Sequence, residues 1–159
     1  MDTRTATTTL RIEHIRDALR AAQVHAALIP SADPHLSEYL PERWQGRQWA
    51  SGFTGSMGTL VVTLDRAALF ADGRYWASAE KELAGTGIEL VKIVSAVAPA
   101  HVDWIASQLK PGQSLAVDGQ VLGLAAAGVL RAGMDRAGIV LRTDVDVVQS
   151  AWELSLIHI

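Results

Sequence analysis

Residues 60–75 read LVVTLDRAALFADGRY. Leu60–Leu64 and Ala67–Ala71 are two apolar segments separated by Asp65–Arg66, the pattern of a β-hairpin. Asp72 and Gly73 break it, and a helix is expected from about Arg74 to Leu83, closed by the Gly85–Gly87 break. Beyond that point strands and helices alternate. Residues 88–94, 114–118 and 139–142 read as strands. Residues 100–109, with Trp104 and Ile105 inward, 122–136 and 145–152 read as helices. Upstream, Ile12, Ile15, Leu19 and Ala22 recur at helical spacing, and Thr8 or Thr9 is the expected N-cap. Residues 26–30 (AALIP) form a short apolar strand stopped by proline, 36–40 a short helical turn, and 42–50 a helix with Trp44 and Trp49. Alternation after a hairpin argues for an α/β fold: a single layered domain with a mixed β-sheet flanked by helices.

A chain of 159 residues fits one domain. A domain of this size buries roughly 70% of its unfolded surface, enough for a core without staples. Hydrophobic residues make up 49% and charged residues 19%, a globular balance rather than a disordered one. The net charge is −3 and no basic run stands out, which argues against nucleic acid as a partner. There is no cysteine, so disulfides and thiolate metal sites are excluded. The N-terminus MDTRTATTTL lacks the apolar core of a signal peptide, and stretches such as Val121–Leu130 are too short and glycine-broken to span a bilayer. The expectation is a cytoplasmic protein with no membrane partner. Residues 1–9 are expected to be a flexible N-terminus, 10–152 the domain, and 153–159 an atypical tail.

Three ordered motifs then carry a resemblance. Ile29-Pro30-Ser31, with Asp33, His35 and Ser37-Glu38-Tyr39, resembles the IPS-x-D-x-H-x-SEY stretch of Xaa-Pro aminopeptidases. Ser51-Gly52-Phe53-Thr54-Gly55-Ser56, followed by Gly58-Thr59, is similar to the SGF-x-GS-x-GT segment, and Asp72-Gly73-Arg74-Tyr75 to the DGRY of the same family. Val117-Asp118, Asp146-Val147-Val148 and Trp152 agree more loosely, so the resemblance covers about residues 10–152. It implies the N-terminal, creatinase/prolidase-type domain of aminopeptidase P, within the metallopeptidase family of creatinase-like enzymes. Such a domain does no chemistry itself. The catalytic domain, with two divalent metal ions (manganese is the expected metal), would lie in a part absent from this chain. The resemblance implies as partners a peptide with proline at its second position, the missing catalytic domain, and a second subunit in a dimer.

No catalytic residue and no metal ligand is assigned here. Arg74 is singled out for substrate binding. The resemblance implies that the arginine of DGRY reaches out of the first domain to the peptide, and a guanidinium presents a rigid fork of donors suited to a carboxylate or to peptide carbonyls. The competing reading is a local ion pair with Asp72. Tyr75 and His35 are added as weaker substrate-binding residues. His35, Asp33 and Glu38 form the most ligand-like cluster, with His35 and Glu38 one helical turn apart. A zinc site needs three or four ligands, however, and Asp33-Pro34 reads equally as turn chemistry, so a structural or interfacial role is preferred.

SGFTGS has the glycine content of an anion nest but is no phosphate-loop signature, and Gly52 and Gly55 are expected to serve backbone angles closed to other residues. Neither Ser51 nor Ser56 sits in a nucleophile elbow. Of the five tryptophans, Trp104 and Trp152 fit inner helix faces, while Trp44, Trp49 and Trp76 gather around the motifs, where one of them is expected at an interface. His14, His25, His101 and His158 form no metal-binding spacing. The functional expectation is a non-catalytic domain that governs substrate access and packs against another domain or subunit. The alternative is a free-standing module of the same fold that binds a small ligand or a protein.

Overall fold

A computed structural model describes residues 2–32, 34–35, 40–94 and 99–157. The described residues order six helices and six strands: α1 Thr3–Ala22, β1 Ala26–Ile29, α2 Gly46–Ser51, β2 Thr59–Thr63, β3 Ala67–Asp72, α3 Trp76–Leu83, β4 Glu89–Ile93, α4 Ala100–Gln108, β5 Ser114–Ala116, α5 Leu124–Ala137, β6 Val140–Arg142 and α6 Val147–Ile157. Short 3-10 turns precede α2 and α5. The strands form one sheet in the order β4-β3-β2-β1-β5-β6. Only β2 runs against the others, pairing antiparallel with β1 and β3, while β1–β5, β3–β4 and β5–β6 are parallel. The α/β layered domain with a mixed sheet is therefore the observed fold, and each expected strand has its counterpart.

Both faces of the sheet are covered, which is why its strands read as near-continuous apolar runs. Alternation along β1 and β2 divides the core in two. Ala27, Ile29, Leu60, Val62 and Leu69 face α1, α2, α3 and α6; Ala26, Leu28, Val61, Ala68 and Phe70 face α4 and α5. The hairpin closes as its residues demand: Thr63 N–H donates to Arg66 O at 2.8 Å, and Thr63 Oγ1 accepts from Arg66 N–H at 2.9 Å.

Several boundaries differ from expectation, most by about two residues; α2 starts at Gly46, after a 3-10 turn at Glu42–Trp44, and not at 42. Helix α1 starts at Thr3, not at Thr8 or Thr9, because Asp2 caps it, its carboxylate accepting from Thr5 N–H at 2.7 Å. Thr7 and Thr9 instead bond back to carbonyls one turn earlier, at Thr3 and Thr5. Residues 3–9 are thus helix rather than a frayed lead. Helix α3 starts at Trp76, two residues later than expected, which leaves Arg74 and Tyr75 in the turn before it. Helix α6 runs on to Ile157, so residues 153–157 continue the last helix. The expected turn at 36–40 lies largely outside the described residues, as do Asp33, Ser37, Glu38, Tyr39 and His158.

Candidate functional site

The strand register gathers the three motifs at one end of the sheet. Ile29, at the end of β1, pairs with Leu60 at the start of β2, and Thr59 pairs with Phe70 near the end of β3. The loop after β1, the turn before β2 and the turn after β3 therefore share the carboxyl edge of the parallel strands, where open α/β sheets place ligands. Ser31 Oγ fastens the first two together, donating to Gly58 O at 2.5 Å.

Arg74 stands exposed in the turn after β3, its side chain 67% accessible. Asp72 holds it from one side: Nε donates to Oδ1 at 2.9 Å, Nη2 to Oδ2 at 3.0 Å, and the backbone N–H to Oδ1 at 3.1 Å. The pairing holds the Asp72 carboxyl below its usual range and raises the Arg74 guanidinium, chiefly through these hydrogen bonds. The local ion pair that competed with a substrate role is thus present. It uses Nε and one edge of Nη2 and leaves the Nη1–Nη2 edge of the fork without a partner among the described residues. Arg74 also lies over the Tyr75 ring, 5.0 Å from its centroid.

Tyr75 is half-buried and joins two motifs. Its Oη lies 2.6 Å from Ser56 Oγ, and its ring meets the edge of Phe53 at 5.8 Å. Phe53 is fully buried. Gly55 makes room for it, since a Cβ there would meet the Phe53 ring at 2.2–2.8 Å. Gly52 adopts φ +71° as the αL cap of α2, as expected. Gly55 is required for close approach rather than for backbone angle, which corrects the expectation for it. Glu82 of α3 ties the same turn to α1, accepting from Thr54 Oγ1 at 3.1 Å and from Arg4 Nη2 at 2.5 Å.

Arg47 is the site residue that the motifs did not announce. It is 5% exposed, stacks 5.0 Å from the Phe53 centroid and donates through Nη2 to Gly55 O at 2.6 Å. Its Nε and Nη1 have no hydrogen-bond partner among the described residues. Burial pulls its pKa down to about 10. Ser51, one turn further along α2, donates its Oγ–H to Arg47 O at 2.7 Å.

His35 is exposed in the turn formed with Pro34; the two carboxylates grouped with it, Asp33 and Glu38, lie outside the described residues. Among the described residues no group of three or more His, Cys, Asp or Glu could hold a metal ion. Trp49 is buried against Trp152 in a stack of 5.3 Å, Trp104 packs edge-on to Phe70, and Trp76 donates Nε1–H to Ala71 O. No described helix is long and apolar enough to cross a membrane.

The family model for the creatinase/prolidase N-terminal domain matches residues 11–145, and the chain belongs to that family. It is 38% identical over 144 residues to the probable Xaa-Pro aminopeptidase P of Metarhizium robertsii, covering 89% of this chain and 23% of that protein. It is 40% identical over 111 residues to Xaa-Pro aminopeptidase 2 of Mus musculus, covering 70% and 16%. Among solved structures, the X-prolyl aminopeptidase of Caenorhabditis elegans, described as a cytosolic enzyme with a di-nuclear active site, superposes with a TM-score of 0.82 at 27% identity, over 92% of this chain and 26% of that one. The N-terminal domain of the cytoplasmic peptidase PepQ of Mycobacterium tuberculosis H37Rv shares the fold, with a TM-score of 0.69 at 23% identity, over 89% and 98%. The chain thus corresponds to the N-terminal domain of Xaa-Pro aminopeptidase-like proteins and spans 23% and 16% of the two curated relatives.

Proposed function

We propose that this domain forms one wall of the substrate site of a metal-dependent Xaa-Pro aminopeptidase and does none of the bond-breaking itself. Arg74 binds the peptide through the free edge of its guanidinium, with Tyr75 and His35 beside it at the entrance. The substrate is a peptide with proline at its second position, and the enzyme is cytoplasmic. The two divalent metal ions, manganese on this reading, belong to the catalytic domain. The observation that carries the proposal is the exposed, Asp72-held Arg74 at the carboxyl edge of the sheet. That edge, with Met57 50% exposed in the neighbouring turn, packs on this reading against the catalytic domain or a second subunit of a dimer.

The test is direct. The pure 159-residue chain is expected to show no turnover of a Xaa-Pro peptide with added manganese, and to gain it when joined to the catalytic domain of a relative such as the C. elegans enzyme. Turnover by the chain alone would overturn the proposal.

A further inference from the structure

Arg74 is a long, exposed side chain, and an unrestrained one would lose most of its rotamer freedom on binding. Here it is held from two sides. Asp72 takes Nε and one edge of Nη2, and the Tyr75 ring lies under the guanidinium plane. That ring is itself fixed: Ser56 Oγ meets its hydroxyl at 2.6 Å, and Phe53 abuts it edge-on. Phe53 is in turn pinned between the Gly55 backbone and Arg47. Two segments about twenty residues apart thus converge on one guanidinium.

We infer that Asp72 and Ser56 are positioning residues for Arg74: Asp72 aims the Nη1–Nη2 edge outward, and Ser56 holds the Tyr75 platform level beneath it. The group that edge receives presents two oxygens, from a carboxylate or from successive carbonyls. The inference rests on the proposal that Arg74 binds substrate.

Two measurements separate them. In the 159-residue chain, the Arg74 Nε–H resonance, assigned by its loss in Arg74→Ala, is expected to exchange slowly with water. Asp72→Asn should abolish that protection, and Ser56→Ala should reduce it. Retained protection in Asp72→Asn overturns the positioning role, whatever Arg74 does. In the chain joined to a catalytic domain, Asp72→Asn is expected to raise KM about tenfold with kcat within about twofold. Asp72→Asn combined with Arg74→Ala should be no worse than Arg74→Ala alone. An additive double variant overturns the inference. If protection behaves as expected but Arg74→Ala leaves KM unchanged, the substrate role of Arg74 fails while its restraint by Asp72 stands.

Discussion

The hydroxyl of Tyr75 lies 2.6 Å from Ser56 Oγ and so joins the turn after β3 to the turn before β2. What looked in the sequence like two separate motifs is one packed unit, with the Phe53 ring at its base. Gly55 is the tightest point of that unit. Gly55→Ala is expected to destabilise the domain by about 1–3 kcal/mol, because the new methyl would occupy the volume of the Phe53 ring. Chemical denaturation measures the loss. A variant as stable as the parent would show that the ring has room to move.

Two glycines of α5 should respond in opposite directions. Gly128 has nothing within 4 Å of an added Cβ, so Gly128→Ala is expected to stabilise by roughly 0.5–1 kcal/mol through helix propensity. Gly133 faces α4, where a Cβ would meet Val102 Cγ1 at 2.2 Å, so Gly133→Ala should cost about 1–3 kcal/mol. The difference in thermal midpoint between the two variants reads the packing of α4 on α5.

Arg47 is a buried cation, two of whose nitrogens have no hydrogen-bond partner among the described residues. Replacing such a group by an apolar side chain of similar volume is often neutral or stabilising, by about 1–4 kcal/mol. Arg47→Met is therefore expected to be at least as stable as the parent, with water taking the half-exposed Gly55 carbonyl. A loss above about 3 kcal/mol would mean that the charge is paired in solution.

His101, against the edge of Phe70, has its pKa pushed down by burial. The unfolded chain then binds more protons than the folded one below the ordinary value of 6.5. This group's contribution is present above that value and is lost as pH falls through it toward the lowered folded pKa. Urea midpoints at pH 7.5 and 5.5 should differ less in His101→Gln than in the parent. An unchanged difference would show that His101 does not contribute to the dependence.

Strands β1, β2, β3 and β5 were legible because they are buried, so each reads as a short apolar run between turn residues. The helix starts were less so. Asp2 outcompetes the later threonines as a cap, a matter of which side chain meets the first free N–H groups. Arg74 and Tyr75 were legible as motif residues, but their coupling to Ser56 and Phe53 depends on the antiparallel register of β2 and β3, which no local pattern specifies. Arg47 stayed hidden because a charged residue in a short helix ordinarily faces water.

The central claim is that Arg74 serves a substrate site completed elsewhere. The kinetics of Arg74→Ala in the domain joined to its catalytic partner test it most directly. Arg74→Ala should lower kcat/KM about ten- to a hundredfold, the loss expected for a hydrogen bond to a charged group, with the thermal midpoint unchanged. Unchanged kcat/KM in a folded variant would contradict it.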